Sequence, residues 1–247
     1  LKKIKENSLF KSTPETYTIQ HVLNFLKGIF QTKTESKYFL TLIGDCILKK
    51  NNDCLSYFVS PRLKRIVGMI DTFNYINTGT TIMGNFITKY HDNHLLKLYR
   101  LIRTNETTNI LNDEIIGGIL NTIGIDLLCV ATHYSERYIS ADNYLKNNDE
   151  DGVIKYSLFF INNSVEQIIE DFIENNIDVV SSDSFISWKN MHYIWKLHLS
   201  SINIPNMIYS QNLQSLLMSK LSNNNEPSNL IFTNITSKYL PVVSSFL

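Results

Sequence analysis

Asn112-Asp113-Glu114-Ile115-Ile116-Gly117-Gly118-Ile119-Leu120-Asn121-Thr122-Ile123-Gly124-Ile125-Asp126-Leu127-Leu128-Cys129-Val130 begins with a capping side chain and two acids, and continues as an almost unbroken apolar run. Asn112 can take up free backbone amides, and Asp113 and Glu114 suit the positive end of a helix dipole. The spacing predicts a helix reaching about Tyr134 that is apolar on nearly every side, which in a water-surrounded fold is the position of a central helix. Gly117-Gly118 suits the close approach of a neighbour. The apolar part, Ile115 to Val130, is interrupted by Asn121 and Asp126 and reads as too short and too polar to span a bilayer.

Amphipathic helices flank this run on both sides. Ser12-Thr13-Pro14-Glu15 is a helix entry, and Val22, Phe25, Leu26, Ile29 and Phe30 recur beyond it at helical spacing. A second helix over about Thr34 to Lys50 carries Phe39, Leu42, Ile43, Cys46 and Ile47 on one stripe, so the two read as a helical hairpin. Ser60-Pro61 starts a third, to about Ile76, with Arg62, Lys64 and Arg65 on its polar face. Between Gly79 and Arg103 the residues favour a β-hairpin turning at Tyr90-His91-Asp92-Asn93-His94, with a helix from Leu95 to Arg103 as the alternative.

Lys146-Asn147-Asn148-Asp149-Glu150-Asp151-Gly152 is the most polar run in the middle of the chain and divides it into domains at 1–148 and 149–247. Helices follow near Val153 to Phe160 and from Ser164 to Asn175. Ser187 then opens a helix with Trp188, Met191, Trp195 and Leu199 on one face. Ile204-Pro205 ends it, Ser210 to Leu221 forms another, and Leu230-Ile231-Phe232 reads as a short strand before a last short helix near Ser237. The fold class is mainly α: a helical bundle with a small β-hairpin region near 80–103 and a winged-helix-like C-terminal part.

Composition excludes several function classes. The 23 Lys+Arg balance the 23 Asp+Glu, so no global field draws the chain to nucleic acid or membrane, and any such contact has to be a local patch. Three cysteines without CxxC spacing fit a reducing, intracellular compartment. Leu1-Lys2-Lys3-Ile4-Lys5-Glu6 lacks the apolar core of a signal peptide, and the two ends read as those of a fragment of a longer protein. Alanine occurs only at Ala131 and Ala141 while Asn and Ile abound, a bias that reflects an AT-rich genome.

Catalytic signatures are missing from the sequence: there is no GxSxG, HExxH or GxGxxG, and Gly79-Thr80-Thr81-Ile82-Met83-Gly84-Asn85 lacks the lysine of a phosphate loop. His91 and His94 flank Asp92 but have no companion ligands at matching spacing, so a polar turn is the plainer reading than a metal site. Cys129 in its apolar helix reads as a core thiol. Trp188 and Trp195, seven apart, read as a core stripe rather than a base-stacking platform. No catalytic residue, metal or cofactor is expected. The candidate nucleic-acid contacts are two basic clusters, Arg62, Lys64 and Arg65, and Lys97, Arg100 and Arg103.

The C-terminal order of tryptophan-bearing helix, Pro-containing turn, Leu-rich helix, polar loop and strand resembles a winged helix, with Ser210 to Leu221 in the recognition position. Ser187-Trp188-Lys189-Asn190-Met191 through Trp195-Lys196, then Asn203-Ile204-Pro205-Asn206, resembles segments near the C-terminal part of primase-helicases of nucleocytoplasmic large DNA viruses. The resemblance covers about the last quarter of the chain and includes neither a phosphate loop nor a primase carboxylate set. It implies an accessory region beyond a motor, working in the cytoplasm of an infected cell, with DNA or RNA and other domains of the parent protein as partners. A protein-docking scaffold that does not touch nucleic acid is the alternative.

Overall fold

The computed structural model describes residues 14–50, 56–90, 95–105, 113–148, 152–181, 184–221 and 231–240. The chain divides into two units, Leu1–Asn162 and Asn163–Leu247, and the fold is mainly α.

In the first unit α1 (Thr16–Leu26), α2 (Lys33–Ile47), α3 (Pro61–Thr78) and α4 (Asp113–Tyr138) supply most of the core, followed by α5 (Ala141–Asn148), α6 (Val153–Ser157) and α7 (Phe159–Asn162). The start of α2 is fixed by a capping box: Thr32 Oγ1 accepts from the Glu35 amide, and Glu35 Oε2 accepts from the Thr32 amide. Helix α3 has Ser60 as its cap and Pro61 in its first turn, and ends on Gly79 at φ 70°, a left-handed position that glycine adopts without strain.

Helix α4 is the axis of this unit. Ile116, Leu120, Ile123, Leu127, Leu128, Val130 and Ala131 are buried in it against α1, α2 and α3. It is not apolar-buried all round, however, because Ile115 and Ile125 are 46% and 44% exposed. At 26 residues it is also longer than the apolar run suggests, and among the described residues it alone is long and apolar enough to cross a membrane. Half of its most apolar window is buried inside the fold. The close approach falls at other glycines than the pair expected. A Cβ on Gly44 would lie 2.1 Å from the Ala131 oxygen and one on Gly124 2.9 Å from the Phe73 ring, whereas Gly117 and Gly118 face open space.

The β-hairpin expected near 80–103 is replaced by parallel pairing. Strands β1 (Tyr57–Val59), β2 (Phe86–Ile87) and β3 (Arg100–Ile102) form a sheet in the order β2-β1-β3, with Tyr57 opposite both Phe86 and Arg100. Two strands of this region do form, but β1 lies between them. Tyr57 and Val59 are wholly buried, so β1 takes the central place and α3 serves as the crossover that a parallel pair requires. The Leu95-to-Arg103 alternative survives only as a 3-10 turn at Leu96–Leu98. The turn carrying His91 and His94, and the polar run at 149–151, lie outside the described residues.

The division between units falls after Asn162, later than the polar run at 146–152. Val153 and Leu158 join the first unit's core, which ties α6 and α7 to it.

The second unit runs α8 (Val165–Asn176), β4 (Asp178–Val179), β5 (Phe185–Ser187), α9 (Trp188–Ser201), α10 (Ser210–Leu221), β6 (Ile231–Thr233) and β7 (Ile235–Thr236). Strand β4 pairs antiparallel with β7 and β5 with β6, and Asn234, at φ 59°, separates β6 from β7. Ile186 opposite Phe232, both buried, fixes the register. Helix α8 has a Ser164/Gln167 capping box and buries Ile168, Ile169 and Phe172. Trp195 meets Phe172 edge-on at 5.2 Å and donates its Nε1–H to Asn206 Oδ1 at 3.2 Å, so the Pro205 turn is held to α9.

Candidate nucleic-acid interface

The two basic clusters expected to meet phosphate have different fates. On α3, Lys64 and Arg65 are exposed and Arg62 is half-buried, with its Nη2 shut off from solvent and without a hydrogen-bond partner among the described residues. Lys97 is exposed beside β3. Arg100 is not available: it is 4% exposed, its Nε and Nη2 donate to Asp142 Oδ1 and Oδ2 at 2.9 and 2.7 Å, and Nη1 donates to the Lys97 carbonyl. Arg103 donates from Nε and Nη2 to Glu35 Oε1 at 3.0 and 2.9 Å and lies over the Tyr156 ring. Both arginines are structural here, and the second cluster is reduced to Lys97.

Behind Arg100 lies a buried polar network. Asp45, wholly buried, accepts from Ser135 Oγ at 2.5 Å and from the Ala141 amide at 2.8 Å, which caps α5. Burial raises the Asp45 pKa above the ordinary carboxylate value, against the pull of Ser135, the Ala141 amide and Lys50. Burial likewise pushes the phenols of Tyr38 and Tyr57 and the thiol of Cys46 well up, so none of them supplies an anion near neutral pH. Burial alone would lower the Arg100 pKa, but its bonds to Asp142 reverse that and raise it. Cys129 is half-buried with its pKa raised to about 11, which makes it a poor nucleophile.

A cleft of about 360 Å³ at the start of α2 carries Gln20, Lys27, Gln31 and Lys33, with no carboxylate, histidine or cysteine on its walls. Asp71 accepts from the Ile82 amide and the Thr81 hydroxyl, so a carboxylate occupies the Gly79–Asn85 loop where a phosphate loop would need open amides. Among the described residues no three His, Cys, Asp or Glu side chains group as metal ligands.

The second unit separates its charges. Residues 163–247 hold four lysines, no arginine and seven acids, yet from Ser184 to Asn225 there is no acid at all while Lys189, Lys196 and Lys220 fall within it. Glu166, Glu170, Asp171 and Glu174 all lie on α8, and Lys220 of α10 pairs with Glu170 at 2.6 Å, so the positive charge without an ion pair among the described residues is that of Lys189 and Lys196 on α9. The two tryptophans also separate. Trp195 is 1% exposed and belongs to the core, whereas Trp188 is half-buried and stacks on His192 at 5.5 Å and 22°. The acid-free run was readable in the sequence; the stack was not, because spacing alone gives both tryptophans the same face.

Compared with protein-family models, with curated proteins and with solved structures, the chain matches none.

Proposed function

We propose that this chain is a non-enzymatic helical module of a larger nucleic-acid-handling protein of the viral replication type, and that it contacts DNA or RNA through the unit Asn163–Leu247. The observation that carries this reading is the order of elements in that unit: a helix, two short strands, two helices and two short strands, with β4 antiparallel to β7 and β5 to β6. That order resembles a winged helix, in which α10 would take the recognition position. The outward residues of α10 suit the role, since Gln211, Asn212, Ser215 and Ser219 are exposed amides and hydroxyls, groups that hydrogen-bond to base edges and phosphates. The similarity of 187–206 to viral primase-helicase segments supports a replication protein as the parent.

The test is binding of labelled duplex and single-stranded DNA and RNA, with Asn212→Asp plus Ser215→Asp as the variant. The proposal expects salt-sensitive binding that this pair of new acids weakens. Affinity for nucleic acid that the pair leaves untouched excludes α10 as the contact.

A second reading, a protein-docking scaffold, is favoured by the exposed Tyr75 and Ile76 on α3 and Ile115 and Ile125 on α4. It expects a partner whose affinity is insensitive to salt.

A further inference from the structure

We propose that the outer face of α9 is a stacking site for single-stranded nucleic acid, with Trp188 and His192 receiving a base and Lys189 and Lys196 receiving the flanking phosphates. The inference rests on the preceding proposal and deepens it by naming the kind of strand and a second contact surface beside α10.

Side chains three, four and seven apart share one side of a helix, so Trp188, Lys189, His192, Tyr193 and Lys196 form one continuous arc of α9. The opposite arc, Met191, Ile194, Trp195, His198 and Leu199, is buried. On the outer arc Lys189, Tyr193 and Lys196 are exposed, and Trp188 and His192 are half-buried. The indole and imidazole already lie nearly parallel, at 22°, which fixes both rings and leaves less entropy to lose when a third ring stacks. Lys189 and Lys196 are about 10 Å apart along the helix axis, one on either side of His192 in sequence. Neither forms an ion pair among the described residues.

The chemistry of the partner follows from this combination. A planar aromatic step between cations takes a ligand that is itself planar and anionic in alternation, which describes an unpaired strand. A duplex offers its phosphates but keeps its base faces stacked, so it gains nothing from Trp188. An acidic peptide would use the lysines and leave the ring pair idle. No acid of the chain falls between Ser184 and Asn225, so nothing on α9 itself repels a phosphate, and Glu170 of α8 is taken up by Lys220 on α10. Burial, with Lys196 adding to it, lowers the His192 pKa, so the ring is neutral near pH 7 and serves as a flat surface rather than a third cation.

The experiment titrates the chain with an oligothymidylate of about 15 nucleotides at low salt, following tryptophan emission and, with a labelled copy, anisotropy. Trp195 is buried, so the expected saturable quenching reports on Trp188. Trp188→Ala is expected to weaken binding at least about tenfold and Lys189→Glu or Lys196→Glu to flatten its salt dependence, while Trp188→Phe retains most of the affinity. Trp188→Phe also guards against a mere folding defect, as does an unchanged far-ultraviolet spectrum. Oligothymidylate binding that Trp188→Ala leaves intact overturns the inference. Binding of duplex alone, lost in the α10 variant, overturns it while sparing the proposed function. Binding of neither overturns both.

Discussion

Arg100 and Asp142 are joined by a two-pronged ion pair, at 2.9 and 2.7 Å, that links strand β3 to the first turn of α5 across 42 residues of sequence. The Arg100 side chain is 5% exposed and that of Asp142 28%, so removing Arg100 empties a buried site and leaves a part-buried carboxylate without its cation. Arg100→Ala is therefore expected to destabilise the first unit by about 3 kcal/mol, and Arg100→Glu by more, in urea unfolding. Lys64→Glu, on an exposed helix face, is expected to stay within about 0.5 kcal/mol of the parent. Equal effects of Arg100→Ala and Lys64→Glu would contradict the assignment of Arg100 to the interior.

Asp45 gives the first unit a pH dependence of unusual sign. Burial raises its folded-state pKa, so its contribution to stability is complete below the unfolded value, about 3.9, and is lost as pH rises through the folded value. Asn at this position keeps both contacts, its oxygen accepting from the Ala141 amide and its amide donating to Ser135, and has no proton to lose. The stability of Asp45→Asn relative to the parent is expected to improve as pH rises from acid toward neutral. A constant difference, or one that worsens, would show that the carboxylate is not buried as described.

Gly44 and Gly118 are expected to respond to alanine in opposite ways. The new methyl at 44 meets the Ala131 backbone at 2.1 and 2.6 Å, so α2 and α4 must part, at a cost of about 1–3 kcal/mol or more. At 118 the methyl meets nothing, and the gain in helix propensity is about 0.5–1 kcal/mol. Thermal unfolding of the two variants reads this directly.

In the second unit Asn176 donates its amide to both the Phe172 carbonyl and His198 Nδ1, which requires the tautomer with its proton on Nε2. Burial lowers the His198 pKa. Its stabilising contribution is thus present above about pH 6.5 and lost as pH falls through the folded value. Nuclear magnetic resonance of the imidazole is expected to show the Nε2–H form titrating below the ordinary histidine value, and Asn176→Ala is expected to bring that value back up. A ring that titrates normally in the parent contradicts the contact.

Helices were legible where burial imposes their period: on α8 Ile168, Ile169 and Phe172 are buried while Glu166, Glu170 and Glu174 are exposed, whereas α2 is buried on nearly every side. Strand β1 was not, since three residues carry no period, and without it β2 and β3 read as each other's partners. The Thr32/Glu35 capping box is present in the sequence as Thr-x-x-Glu, although the apolar spacing alone points to a start at about Thr34. The burial of Arg100 and Arg103 is hidden from the sequence for a different reason. Charge type predicts exposure only on average, and the acids that neutralise them, Asp142 and Glu35, are distant in sequence and met only in the fold.

The most direct measurement is the salt dependence of nucleic-acid affinity for three proteins: the parent, a Lys189→Glu, Lys196→Glu, Lys220→Glu triple variant, and a Lys64→Glu, Arg65→Glu double variant. The account expects parental affinity to fall steeply as salt rises, the triple variant to lose both affinity and slope, and the double variant to keep most of each. Absence of binding by the parent at low salt, or a loss confined to the double variant, would contradict it.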